Sequence, residues 1–213
     1  PDIIINDRLG RGTTDFMTPE QFVPEPGALQ TAHNFESCLT INNAWGYNAF
    51  DINWKSPKEI VYDLVKNVSM GGNYLLNVGP TDLGEIDSID AAILKGAGKW
   101  IHRNGEAIFG TTASPVLQPD WGRITCRQLV NGNTRLYLHM FLGSEESRFR
   151  GSLEVKGLKN KPKQAYALTT IPRRMYKTYS DGNCIIVELT GRSPDFVCSV
   201  IVLDVEGKIS HTK

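Results

Sequence analysis

Residues 56–80 read SPKEIVYDLVKNVSMGGNYLLNVGP, and this stretch decides the fold class. Ser56-Pro57-Lys58-Glu59 is a helix start: a capping serine, proline at the first helical position, and a glutamate placed to close a capping box. Ile60, Val61, Leu64, Val65 and Val68 then recur at the helical period and line one face. Gly71-Gly72 stops the helix. Asn73–Val78 follows as a short apolar strand, and Gly79-Pro80-Thr81-Asp82 turns the chain away. The unit is therefore helix, tight turn, strand and polar loop.

The same alternation extends in both directions. Downstream, a second helix is expected from Asp87 or Ser88, with Ile89, Ile93, Ala97, Trp100 and Ile101 as its stripe and Asn104-Gly105 as its end. Upstream lies a strand over Ser37–Asn42. Before that, Ile3–Ile5 reads as a buried strand running into the loop Asn6–Gly12, followed by a polar, proline-punctuated stretch to Gly27. Apolar strands alternating with amphipathic helices indicate a parallel α/β sheet.

From Thr111 onward the helical period disappears. Gly122–Leu129, Thr134–Phe141, Gly151–Val155, Gln164–Ala167, Lys177–Tyr179, Cys184–Leu189 and Val197–Leu203 are strand-like. Asn131-Gly132-Asn133 and Asp181-Gly182-Asn183 supply hairpin turns. An antiparallel β-sandwich is expected here. The Thr/Ser/Pro-rich link at Gly110–Pro119 divides the chain into residues 1–111 and 112–213.

Composition excludes several classes of function. The 213 residues carry 23 Lys+Arg against 23 Asp+Glu, so no basic surface for nucleic acid or anionic lipid is implied. No apolar run approaches the length of a transmembrane helix, so no membrane partner is expected. Cys38, Cys126, Cys184 and Cys198 are widely spaced and read as free, buried thiols, although a disulfide among the last three is open. His33, His102, His139 and His211 show no metal-ligand spacing, so neither a metal nor an organic cofactor is expected. His33 is the one to watch, three residues before Glu36.

Function in parallel α/β folds gathers at the carboxyl ends of strands. Asn6-Asp7-Arg8, residues 35–47 (FESCLTINNAWGY) and residues 71–80 supply the candidates. Carboxylates, an arginine and aromatic side chains in one cleft suit a sugar, whose hydroxyls need polar partners and whose ring has an apolar face. Each residue also has an ordinary reading: Asp7 as a loop cap, Trp45 as core packing, Glu36 as a surface glutamate.

Taken together, four ordered motifs carry a resemblance: Ile-Ile-Asn-Asp-Arg at 4–8, Phe-Glu-Ser-Cys-Leu-Thr-Ile-Asn-Asn-Ala-Trp-Gly-Tyr at 35–47, Gly-Gly-Asn-Tyr-Leu-Leu-Asn-Val-Gly-Pro at 71–80, and Asn-Gly-Glu-Ala-Ile-Phe-Gly at 104–110. The sequence resembles the α-L-fucosidases of glycoside hydrolase family 29. The resemblance implies the last strand–helix units of a (β/α)8-type catalytic barrel followed by a β-sandwich. It also implies retaining hydrolysis of terminal α-L-fucose from glycans, by an aspartate nucleophile and a separate acid/base carboxyl. By the same resemblance Glu36 matches the acid/base glutamate proposed in several members, with Glu25 or Glu20 as substitutes because that position varies. Arg8 matches a fucose-binding residue and Trp45 an aromatic beside the sugar. Leu9 departs from the aromatic found in many relatives.

A full barrel takes about 250 residues, so residues 1–111 are expected to be the end of one. The nucleophile is expected on an upstream strand outside this chain, which would leave the isolated chain inactive. Expected partners are a fucosylated substrate and the N-terminal barrel portion, with a homo-oligomer open. The resemblance favours a secreted, periplasmic or lysosomal-type compartment. The rival class is a non-catalytic carbohydrate-binding or structural module. The aromatics after Thr111 (Trp121, Tyr137, Phe141, Tyr166, Tyr176, Tyr179) count against it, because they fall largely within strand runs. A glycosidase of different sugar specificity is the third reading.

Overall fold

The computed structural model describes residues 2–10, 14–25, 34–141 and 151–209. The chain divides into two compact units, Pro1–Trp100 and Ile101–Lys213.

The first unit is built on a parallel three-stranded sheet, β1 (Phe16–Met17), β2 (Asn34–Thr40) and β3 (Asn73–Asn77), in that spatial order. Helix α1 (Pro57–Ser69) starts as its sequence dictates. The Glu59 amide donates to Ser56 Oγ, and the Glu59 carboxylate accepts from the Ser56 amide at 2.7 Å. Ile60, Val61 and Val65 are buried, while Leu64 and Val68 are half-buried at the edge of the stripe. The helix ends when the Gly72 amide turns back to the Asn67 carbonyl, with Gly71 at φ 83°. Gly72 has a packing reason as well, since a Cβ there would lie 2.2 Å from the Phe35 ring. The turn into β3 thus passes directly over β2.

Helix α2 (Ser88–Asn104) differs from its predicted face in one place. Ile89 is exposed, and Asp90 is buried in its stead, accepting a hydrogen bond from Trp54 Nε1 at 2.8 Å. One indole–carboxylate bond sets the rotation of the first turn, and the apolar stripe takes over at Ala97 and Trp100.

Ile3–Ile5 does not form the buried strand its composition suggests. The segment is extended, held by the Asp15 amide on the Ile5 carbonyl (2.8 Å), the Ile5 amide on Asp15 Oδ2 (2.8 Å), and a parallel bridge between Asn6 and Phe16. Ile3 and Ile4 are exposed because, among the described residues, no strand lies on their other side. The two-residue β1 lies inside a stretch read as loop.

The second unit contains seven antiparallel strands: β4 (Gly122–Gln128), β5 (Thr134–Met140), β6 (Gly151–Lys156), β7 (Pro162–Ala167), β8 (Met175–Asp181), β9 (Cys184–Leu189) and β10 (Ser199–Val205). They form one continuous order, β4-β5-β10-β7-β8-β9-β6, in place of two separate sheets. Strand β8 makes the link: Met175 and Tyr176 pair with β7, and Lys177–Asp181 pair with β9. A strand that changes partner along its length lets one sheet curl around its own core. All seven strands contribute to a single buried cluster, including Ile124, Leu138, Val155, Ala165, Ile185 and Leu203. The hairpin turns fall at the predicted Asn131–Asn133 and Asp181–Asn183, with Gly132 and Gly182 at positive φ.

The opposite face of β5 and β10 holds a polar layer. Arg135 grips Asp204 with two hydrogen bonds (2.7 and 3.0 Å) and Glu106 with one (2.8 Å), and Tyr137 Oη donates to Glu106. Burial would raise the Glu106 carboxyl, but the bonds from Tyr137 and Arg135 hold it below its ordinary value. All four cysteines are free thiols, two buried and two half-buried. Among the described residues no helix is long and apolar enough to cross a membrane.

Candidate functional site

Strand register assembles the site. Glu20 lies across from Cys38 in a parallel bridge, closed by the Gln21 amide on the Cys38 carbonyl and the Cys38 amide on the Pro19 carbonyl, both 2.9 Å. Cys38 in turn faces Leu75 on β3, and Glu36 faces Asn73. Side chains two apart on a strand share a face, so Glu36 and Cys38 look to one side of the sheet. Phe35, Ser37 and Leu39 are buried on the other. Glu20 therefore sits about 7 Å further toward the carboxyl ends of the strands than Glu36, two residues of strand rise.

These residues line a cleft of about 420 Å³. Arg8 enters from the turn Asp7–Leu9, where Asn6 Oδ1 accepts from the Arg8 amide. Its guanidinium donates to Thr18 Oγ1 (3.1 Å) and pairs with Glu20 (2.8 Å). Asp7 Oδ1 accepts from the Thr18 amide and hydroxyl at 3.1 and 2.6 Å. Asp7 is thus the loop pin that its ordinary reading suggested, and through Thr18 it aims Arg8 at Glu20.

Trp45 reaches the cleft from the loop after β2 and is 41% exposed, so it is not core packing. Asn77 Nδ2, at the end of β3, donates to the Trp45 carbonyl at 2.8 Å. A Cβ on Gly79 would lie 2.5 Å from the Gly46 backbone. The Trp-Gly-Tyr and Asn-Val-Gly-Pro motifs are therefore two halves of one backbone contact, which fixes where the indole stands.

Of the predicted residues, Arg8, Glu20, Glu36 and Trp45 share the cleft, whereas Glu25 is exposed and does not line it. His33 lies outside the described residues. Sequence reading missed Thr18 and Cys38. Thr18 carries no motif signal, and its role follows from two hydrogen bonds. Cys38 stood inside a quoted motif but was read only as a buried thiol. Burial, and then the Glu20 carboxylate, push its thiol up, so it is a neutral wall of the cleft. Among the described residues, no three His, Cys, Asp or Glu side chains are placed to hold a metal ion.

Two carboxylates at different depths, one guanidinium and one half-exposed indole form a donor, acceptor and stacking set suited to a sugar ring, on the parallel sheet of an α/β protein. Comparison with known proteins makes this class specific. Residues 1–106 match the family model described as Alpha-L-fucosidase. The chain is 36% identical over 134 residues to the tissue alpha-L-fucosidase of Homo sapiens, covering 58% of this chain and 27% of that protein. It is 31% identical over 142 residues to the alpha-L-fucosidase of Dictyostelium discoideum, covering 64% and 30%.

Among solved structures, alpha-L-fucosidase isoenzyme 1 from Paenibacillus thiaminolyticus superposes with a TM-score of 0.78 at 31% identity, over 96% of this chain and 50% of that one. A GH29 alpha-L-fucosidase from Bacteroides thetaiotaomicron gives 0.80 at 27%, over 100% and 50%. The chain belongs to the α-L-fucosidase family. It spans 27% of the human relative and 50% of the two solved chains.

Proposed function

We propose that the complete protein is a retaining exo-α-L-fucosidase acting on fucosylated glycans. Residues 1–111 would supply the closing strand–helix units of its (β/α)8-type barrel. Residues 112–213 would supply the β-rich domain that follows, with the two arms meeting at β8 as the layers of a sandwich. The observation that carries this reading is the convergence of Arg8, Glu20, Glu36 and Trp45 on one cleft, in a chain that matches the fucosidase family over the same residues.

Retention requires a nucleophile and an acid/base carboxyl about 5–5.5 Å apart. Among the described residues no aspartate lines this cleft, so the nucleophile is assigned to a part of the protein outside them. The 213-residue chain by itself is then inactive toward fucosides. In the complete enzyme that aspartate attacks the anomeric carbon, while the acid protonates the departing glycosidic oxygen. Water then hydrolyses the covalent fucosyl-enzyme, with the acid's conjugate carboxylate taking the water's proton.

Glu20 is the better-placed acid/base. It stands toward the carboxyl ends of the strands, paired with Arg8, in the cleft that Trp45 also lines. Arg8 pairs with Glu20 at rest. Transfer of Arg8 to a fucose hydroxyl would release Glu20 to meet the glycosidic oxygen. Glu36 is the second reading, favoured by one observation: it lines the same cleft, and among the described residues no ion pair or hydrogen bond engages its carboxylate.

The test uses the complete protein. Alanine at the true acid/base should slow natural fucosides by roughly 10²–10⁴-fold. It should spare glycosylation by aryl fucosides with good leaving groups, and azide should restore turnover. This pattern in Glu20→Ala supports the assignment, and its appearance only in Glu36→Ala transfers the role there. A wild-type protein without fucosidase activity sinks the reading.

A further inference from the structure

We propose that the second unit carries a binding site for a neutral saccharide, built around Trp121 in the cleft between the segment preceding β4 and strand β6. The inference does not rest on the fucosidase assignment. The cleft measures about 470 Å³, room for one or two pyranose rings, and every lining residue lies between 117 and 156. Trp121 was grouped with strand aromatics in the sequence, yet β4 begins one residue later, at Gly122. The indole stands at the strand's mouth, half-buried, with part of its surface on the unit's core and part on the cleft.

The indole and the backbone around it are tied at several points. Trp121 Nε1 donates to the Glu154 carbonyl (3.4 Å), and the Phe141 amide donates to the Trp121 carbonyl (3.1 Å). The segment before it is pinned by Gln118 Oε1, which accepts from the Ile124 amide at 2.8 Å. A site fixed in advance loses little entropy on binding.

The lining is amphipathic in the way a pyranose is. Leu117, Pro119 and the indole give an apolar wall for the C–H face of a ring. Leu117 is 92% exposed, a cost in water that a bound sugar face would relieve. Asp120 and Glu154 present carboxylates that accept from hydroxyls, and Lys156 presents an ammonium that donates. Glu154 and Lys156 are two apart on β6, share one face and pair at 3.4 Å with both side chains exposed, so both are open to a ligand. Two carboxylates against one ammonium disfavour phosphates and acidic sugars, and the ammonium disfavours a free cation. A neutral glycan is the chemistry that remains.

The test titrates the complete protein with lactose and N-acetyllactosamine while following the tryptophan indole N–H resonances by NMR. Neither probe contains fucose, so the outcome is separate from that of the fucosidase reading. The Trp121 resonance, identified by its loss in Trp121→Phe, should shift saturably with a dissociation constant on the order of 1 mM. Glu154→Gln should weaken binding by about tenfold without altering the thermal unfolding transition, because only the side chain's charge-assisted hydrogen bond is lost. Trp121→Phe keeps an aromatic wall and should retain binding by calorimetry, whereas Trp121→Ala should lose it. An indole resonance unmoved at about 100 mM saccharide, a hundredfold above that constant, would overturn the proposal. So would equal binding by wild type and Glu154→Gln.

Discussion

His139 makes the second unit sensitive to acid. Its imidazole is fully buried on β5, with Nε2 3.0 Å from Thr125 Oγ1. The Thr125 hydroxyl gives its single proton to the Ala107 carbonyl at 2.8 Å, so it accepts from the ring, and Nε2 carries the hydrogen. Burial pushes the imidazole from its ordinary value of 6.5 down to about 3, and the backbone bond involving Ala107 offsets only part of this. In the unfolded chain the ring takes up a proton near 6.5, whereas the native ring stays neutral until about 3. Between those values the unfolded state binds one more proton, so stability falls as pH falls, by up to about 1.4 kcal/mol per pH unit. At about pH 5 the accumulated loss is about 2 kcal/mol, a figure set almost wholly by the unfolded pKa. The assay is urea denaturation of wild type and His139→Gln at several pH values between about 8 and 5, where the variant keeps an N–H for Thr125 but cannot titrate. Carboxylates elsewhere, and unfolding of the first unit, contribute equally to both proteins and cancel in the difference. Wild type should lose about 2 kcal/mol more than the variant over that range. Parallel stability curves would refute the buried neutral imidazole as the cause.

Two further substitutions test the packing and the polar layer. Gly72→Ala places a methyl against the buried Phe35 ring and should cost about 1–3 kcal/mol by chemical denaturation. Phe35→Leu in the same chain should recover part of that loss, and an unchanged midpoint for Gly72→Ala alone would show that the contact is slack. Arg135→Met leaves the buried Asp204 carboxylate with Gln164 as its side-chain partner among the described residues and should destabilise the second unit by about 3–5 kcal/mol. The double variant Arg135→Met/Asp204→Leu should regain most of this, and a single-variant cost under about 1 kcal/mol would contradict the role given to the pair.

The elements with local signals were legible. The Ser56 capping box, the α1 stripe and the Gly71-Gly72 stop each act within a few residues, and helix and turn stand where the sequence places them. The hairpins of the second unit were readable for the same reason, since asparagine and glycine encode their turns. Long-range chemistry was not readable. Nothing near Ile89 says that Trp54, a full 35 residues earlier in the chain, will claim the carboxylate at Asp90 and rotate the helix away. Nothing in Met175–Asp181 says that the strand will divide its pairing between β7 and β9 and turn an expected pair of sheets into one. Ile3–Ile5 has strand composition, but among the described residues no strand lies on its outer side, and composition alone cannot provide one.

The site shows the same division more sharply. Arg8, Glu36 and Trp45 were singled out by the ordered motifs and the family resemblance they carry, with Glu20 as a substitute for Glu36. The sequence reading put Glu36 ahead of Glu20 without sight of their depths. Their ranking depends on depth, and depth is a matter of register: Glu20 is placed opposite Cys38 by two backbone hydrogen bonds, two residues beyond Glu36. A shift of one residue in that pairing would turn Glu20 to the other face of the sheet and leave Arg8 without its partner. The Asp7–Thr18–Arg8 chain of hydrogen bonds guards against that slip, because Thr18 lies two residues before Glu20 and is tied at both its amide and its hydroxyl. The Asn-Asp-Arg motif therefore does more than present an arginine: its aspartate sets the register that brings the glutamate to the cleft.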